Sequence, residues 1–262
     1  METFRALNDY YTNYDEEGRL LSPHGQVEYL TTMRYIKKYL RPGMRILEIG
    51  AATGRYSHAL ARQGYQVEAV ELVQHNIDIF NRLTQPGEKV TIRQGNAKDL
   101  SFYQDGTFDM TLLLGPMYHL FSAEEQRQAL SEAIRVTKID GILFAAYCGN
   151  DATMVQYCFG RGMLKEKRYQ ELVDPVTFKA SSDPAELFEL YRKEDIDALM
   201  VHFSTQRLHY IGTDMATNYM RDAVDSMDAE LFEMYLRYHF SICERSDMVG
   251  VSHHILDIHR KL

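Results

Sequence analysis

The chain of 262 residues contains no tryptophan, 6 prolines and 3 cysteines. Cys148, Cys158 and Cys243 are odd in number and far apart, which excludes a disulfide framework and a Cys-x-x-Cys metal motif and leaves buried or idle thiols. No run approaches the roughly 20 apolar residues that a bilayer demands, so no membrane partner is expected. The start METFRALNDYYTNYDEEGRL lacks the basic-then-apolar order of a secretory leader, and the expected location is cytoplasmic. Basic residues are in deficit, 29 Lys and Arg against 37 Asp and Glu, for a net charge of -8. That balance argues against a life on phosphate backbones or anionic lipid, so nucleic acid is not an expected partner. Repeats and low-complexity tracts are also missing. What is present, 45% hydrophobic and 25% charged residues, is the profile of a globular chain of one domain, with or without an appended subdomain.

The first 150 residues alternate between the two hydrophobic periods. Val27, Leu30, Met33, Ile36 and Leu40 keep helical spacing until Arg41-Pro42-Gly43 stops the helix. Met44 to Ile49 reads as a strand, Gly50-Ala51-Ala52-Thr53-Gly54 as a tight turn, and Tyr56, Ala59 and Leu60 as a helix face closed by Gly64. Gln66 to Glu71 is a second strand, Val73, Ile77, Phe80 and Leu83 a helix face, and Val90 to Gln94 a third strand. Phe108 to Leu114 makes a fourth strand. A helix with Leu130, Ala133, Ile134 and Thr137 inward leads through Asp140-Gly141 to a fifth strand, Ile142 to Tyr147. Strands this apolar, alternating with helices, predict an α/β fold with a parallel sheet covered on both faces. Residues 151 to about 192 read as helices, with Pro184 suited to a first helical turn. Ile196 to Val201 reads as a short helix, Ser204 to Ile211 as a strand, Ala229 to Cys243 as a helix and His254 to Arg260 as a strand, which completes a seven-stranded sheet.

Ligands of such sheets bind beyond the carboxyl ends of the strands, at the turn after the first one. Small residues there let a ligand approach the backbone, and the following helix offers free N–H groups. Glu71 closes the second strand about 20 residues after Gly50, where a carboxylate accepts both hydroxyls of a ribose. The dinucleotide fingerprint G-x-G-x-x-G is absent, because the glycines are Gly50 and Gly54 with Ala52 between them.

Glu48-Ile49-Gly50-Ala51-Ala52-Thr53-Gly54 resembles the first motif of class I S-adenosylmethionine-dependent methyltransferases, [DE]-x-G-x-G-x-G, with Ala52 at the middle glycine. Gly95-Asn96-Ala97-Lys98-Asp99-Leu100 resembles their adenine-binding segment, with Asn96 where aspartate is usual. Phe108 to Pro116 resembles their fourth strand and active-site loop, and Arg135 to Leu143 the segment commonly written RVLKPGG. Gly115 to Leu120, with Glu17-Gly18-Arg19-Leu20 and Glu28 to Thr32, looks like a bacterial group of small methyltransferases. The resemblance implies a Rossmann-like seven-stranded, mostly parallel sheet with helices on both faces. It also implies an N-terminal helical cap over residues 1–43, a cofactor-binding core over 44–148, and a helical insertion with closing strands over 149–262, all in one domain. S-adenosylmethionine, with S-adenosylhomocysteine as product, is then expected at Glu48, Gly50, Ala51, Ala52, Thr53, Gly54, Glu71, Leu72, Asn96, Ala97, Leu114 and Gly115.

Methyl transfer is an in-line displacement that needs alignment more than acid or base, and no metal in principle. Tyr118 and His119, just after the fourth strand, are the candidates for contact with the acceptor. Tyr10, Tyr11 and Tyr14, followed by Arg19, form a segment able to close over the cofactor, tyrosine faces toward the sulfonium and Arg19 toward the carboxylate. A helix packed on the body is the alternative. His253, His254 and His259 carry no metal assignment, since adjacent strand residues face opposite ways. Met154, Tyr157, Met163, Tyr219, Met234, Tyr235 and Tyr238 either line an apolar acceptor pocket or fill the core. A small-molecule acceptor and a monomer or homodimer are expected. An NAD(P)-dependent oxidoreductase and a non-catalytic cofactor-binding protein of the same fold are the competing readings.

Overall fold

The computed structural model describes residues 2–183 and 188–262, with side chains from residue 4 onward. Two helices, α1 (Glu2–Asn13) and α2 (Glu16–Arg19), precede α3 (Pro23–Tyr39). Ser22 caps α3 by accepting from Gly25 N, Pro23 occupies its first turn, and Leu40 leaves it in extended conformation ahead of Arg41-Pro42. The chain then alternates through β1 (Arg45–Ile49), α4 (Arg55–Ala61), β2 (Gln66–Glu71), α5 (Gln74–Leu83), β3 (Val90–Gln94), β4 (Phe108–Leu113), a 3-10 turn at Pro116–His119, α6 (Ala123–Val136) and β5 (Thr137–Gly149). These follow the expected elements closely.

Strand order is β3-β2-β1-β4-β5-β8-β7, with β7 (Thr205–Gly212) and β8 (His254–Lys261) supplied by the C-terminal third. β8 runs antiparallel to both neighbours, and the β1 to β5 pairings are parallel. Alternate residues feed two cores. Leu47, Leu113, Leu143 and Ala145 pack under α6 and under α9 (Lys193–Met200), while Ile46, Met110, Leu112 and Phe144 pack under α3 and α4. Continuous apolar strands thus reflect burial on both faces.

Four expectations change. The sheet gains an eighth strand, β6 (Leu190–Tyr191), paired to the end of β5 at Cys148 and Gly149. The span from 151 to 192 is therefore only partly helical. It holds α7 (Asn150–Thr153) running into a π turn at Met154–Phe159, a 3-10 turn at Met163–Lys165 and α8 (Lys167–Glu171), and then an isolated bridge between Val173 and Ala180. Pro184 lies outside the described residues. Asp140-Gly141, read as a turn, lies inside β5, where Asp140 takes φ 59 at the register jump against β4. Thr137 belongs to β5 rather than α6, its Oγ1 2.7 Å from Thr111 Oγ1 and Ala133 O. Two further helices, α10 (Arg221–Asp225) and α11 (Ala229–Ile242), connect β7 to β8.

Candidate functional site

The carboxyl ends of β1, β2 and β4 open into one cavity of about 1170 Å³, at the point where strand order reverses between β1 and β4. The turn from Glu48 to Thr53, Glu71 with Leu72, Asn96 with Ala97, Leu114 with Gly115, Tyr118 with His119, and Tyr14 and Arg19 all border it. Gly54 does not. It sits behind the wall as the left-handed N-cap of α4, φ 89, where an added Cβ would lie 2.4 Å from the Phe80 ring.

The turn is drawn back onto β2. Gly50 N and Ala51 N both donate to Val70 O, and Ala52 N donates to Glu71 Oε2 at 2.9 Å. Ala52 takes φ 46, so a left-handed conformation is required where the family motif carries glycine. Gly50, φ 76, abuts the Pro116 ring, and the loops after β1 and β4 therefore touch.

Glu71 is nearly buried. Its Oε1 accepts from Val73 N at 2.8 Å, so the carboxylate organises the turns after both β1 and β2. Burial raises its pKa above the usual carboxylate value, against the lowering effect of these bonds. Beside it, Asn76 is buried with its Oδ1 unpartnered, an acceptor on the cavity wall that sequence reading missed. Glu48, 2% exposed, accepts from Ser57 Oγ, and burial pushes its carboxyl up to about 8. Asn96 spends Oδ1 on Lys98 N at 3.0 Å, which leaves its amide nitrogen for other partners.

The N-terminal helices form the roof. Tyr10 stacks on Tyr14 with centroids 5.1 Å apart, meets Tyr11 edge-on, and contacts Phe188. Tyr11 Oη lies 3.0 Å from His119 Nε2. Arg19 gives Nη1 and Nη2 to the two oxygens of Glu28 at 2.7 and 3.2 Å and Nε to Glu16 at 3.2 Å. Its guanidinium thus meets carboxylates of the protein itself, with two of its five N–H groups uncommitted to these partners.

Past Tyr118, whose phenol burial keeps neutral, the wall is polar and was not anticipated. Asp214, just after β7, is buried and pairs its Oδ2 with His254 Nδ1 at 2.7 Å. His254 packs 6.1 Å from the Tyr118 ring, centroid to centroid. Its neighbour His253 lies against Tyr157 and Tyr219 instead, and His259 pairs with Asp257 elsewhere in the sheet. Glu28, Asp214 and His254 offer ligand atoms within 4.8 Å of one another, but Arg19 covers Glu28 and Asp214 is saturated by donors. Of the expected pocket aromatics and methionines, Tyr157 and Met163 border the cavity, whereas Met234 and Tyr238 lie exposed on α11. Among the described residues no helix is long and apolar enough to cross a membrane.

A family model described as a methyltransferase domain matches residues 47–145. The cypemycin N-terminal methyltransferase of a Streptomyces species is 31% identical over 56% of this chain and 61% of its own length. The demethylmenaquinone methyltransferase of Clavibacter sepedonicus is 29% identical over 71% of each chain. This chain thus spans about three fifths of the first relative and somewhat more of the second. A structure described as a SAM-dependent methyltransferase from Thermotoga maritima superposes with a TM-score of 0.58 at 16% identity, covering 99% of this chain and 100% of that one.

Proposed function

We propose that the chain is a class I S-adenosylmethionine-dependent methyltransferase that takes S-adenosylmethionine as its cofactor and methylates a small-molecule acceptor in the cavity beside Tyr118. The observation that carries this reading is one continuous cavity with two chemically different halves. One half presents Glu71, the orphan Asn76 Oδ1 and the left-handed Ala52 turn. The other is lined by Tyr118, Phe188, Tyr157 and His254.

The first half fits the cofactor. Glu71 and Asn76 supply acceptors for ribose hydroxyls, Asn96 and Ala97 border the place for the adenine, and the turn from Gly50 to Thr53 lets a ligand approach the backbone. When bound, the cofactor supplies an activated methyl on a sulfonium. Tyr10, Tyr11 and Tyr14 roof the cavity and exclude water, and the Gly115–His119 loop sets the position of the acceptor against the β1 turn. The cited relatives carry names that specify the N-terminus of cypemycin and demethylmenaquinone, so the fold admits different acceptors, and the aromatic lining of this cavity favours a planar one.

Thermal scans test the reading. S-adenosylmethionine or S-adenosylhomocysteine at 100 times its dissociation constant stabilises the fold by about 2.7 kcal/mol, and NAD has no effect. A shift with NAD alone would sink the proposal.

A further inference from the structure

We propose that His254 takes the proton from a phenolic hydroxyl of the acceptor during methylation, with Asp214 as the residue that positions it. The inference rests on the methyl-transfer reading and adds a substrate class and a base to it.

The two oxygens of Asp214 do different work. Oδ1 accepts from Ser252 Oγ at 2.6 Å, His253 N at 2.9 Å and His254 N at 3.2 Å, tying the end of β7 to the start of β8. Oδ2 accepts from Asn218 Nδ2 and faces His254 Nδ1 at 2.7 Å. With Nδ1 engaged by a carboxylate, the tautomer is fixed, and Nε2 is left as the basic nitrogen on a ring that borders the cavity beside Tyr118. His119, by contrast, has its Nε2 on Tyr11.

The surroundings of His254 favour its protonated form. Glu28 Oε2 lies 3.4 Å from Nδ1 and Asp214 stands closer, while burial and Arg19 act in the opposite sense, and Glu16, His253, Tyr118 and Cys148, which faces His254 across the β5/β8 ladder with its thiol kept neutral by burial, are further titratable neighbours. The net effect raises the imidazole above its ordinary value. A base strengthened in this way is matched to a phenol, whose acidity lies within a few pH units of imidazole, and not to an aliphatic alcohol. Balance is simple. Nε2 gains the proton, the phenolic oxygen forms its bond to the methyl carbon, and the carbon–sulfur electron pair leaves with sulfur as a neutral thioether. The imidazolium then releases its proton to solvent.

A metal-centred alternative would use Glu28, Asp214 and His254, and an ion there would have to displace the Arg19 guanidinium. The experiment separates the two. With S-adenosylhomocysteine bound and its affinity measured by calorimetry, 4-nitrocatechol is added as a chromophoric phenol whose ionisation is read by absorbance. Wild type at pH 5.5, where the free probe is largely protonated, is expected to bind it as the phenolate, His254→Gln to lose at least tenfold of that signal with unchanged S-adenosylhomocysteine affinity, and a chelator to change nothing. In parallel, NMR titration of the His254 ring is expected to show a pKa above 6.5 that falls by a unit or more in Asp214→Asn. Equal ionisation in His254→Gln, no ionisation in wild type, loss of the signal with chelator, or a His254 pKa indifferent to Asp214 overturns the proposal. Failure of wild type to bind S-adenosylhomocysteine would instead overturn the methyl-transfer reading.

Discussion

Tyr11 Oη and His119 Nε2, 108 residues apart in sequence, lie 3.0 Å apart and join α1 to the loop after β4. The aromatic roof is therefore latched to the same loop that borders the proposed acceptor half of the cavity. Tyr11→Phe and His119→Ala are each expected to weaken S-adenosylhomocysteine binding by about 0.5–1.5 kcal/mol, chiefly through faster dissociation, and to be non-additive together. Stopped-flow release from the two single mutants and the double mutant measures this. If His119→Ala slows single-turnover transfer well beyond Tyr11→Phe, His119 also touches the acceptor.

Glu71 is expected to act on both binding and local order, because it accepts from Ala52 N and Val73 N as well as facing the cavity. Glu71→Ala should weaken cofactor binding by roughly 1–3 kcal/mol and lower the stability of the free protein by a similar amount. The contrast is a 2′-deoxy cofactor analogue, whose binding should be nearly indifferent to the substitution. Equal losses for both cofactors would leave Glu71 a turn anchor only.

Glu48 sets a pH dependence of stability. Its folded pKa of about 8 exceeds the unfolded value of 4.5, so the folded state holds the extra proton between these limits. The associated stability is fully present below pH 4.5 and is lost as pH rises toward 8, on the order of 4 kcal/mol. The difference between wild type and Glu48→Gln in denaturant midpoint should therefore grow across that window and level off above it. A difference independent of pH would place the Glu48 carboxyl in the ordinary range.

The core sheet was legible because its strands are short apolar runs punctuated by glycine and proline turns, and β2 and β3 fall on the residues expected. The lining of the cavity at the ends of β1, β2 and β3 was legible for the same reason, since Gly50, Glu71 and Asn96 follow or close their strands. β6 was not, because two residues carry no period. Asp214 and His254 were missed for a different cause. Their meeting depends on the antiparallel register that sets Gly212 opposite Ile255, and the pattern of either strand alone does not contain it. Glu28 sits on α3, whose apolar spacing says nothing about a polar residue on another face, and Phe188 lies within the stretch from 151 to about 192 that reads as helical.

The β1 turn yields the final prediction, because two of its residues answer opposite questions about backbone conformation. Ala52 holds φ 46, a left-handed conformation that costs a residue with a Cβ roughly 1–2 kcal/mol, while glycine returns about 0.5–1 kcal/mol of that as entropy lost on folding. Ala52→Gly should therefore raise stability by about 0.5–1 kcal/mol without weakening the cofactor. Gly50 also has a left-handed φ, 76, but a Cβ there would lie 2.5 Å from Pro116 Cδ and 3.2 Å from Leu114 O, so strain and overpacking add. Proline cannot swing aside as a flexible side chain does, and the Gly115–His119 loop would have to shift. Gly50→Ala should lower stability by at least about 2 kcal/mol, and in the folded fraction it should reduce both cofactor affinity and transfer. Chemical denaturation and calorimetry on the two single mutants check the pair. A destabilised Ala52→Gly would mean that residue 52 is not left-handed in solution, and a Gly50→Ala as stable as wild type would mean that the β1 turn does not press against Pro116.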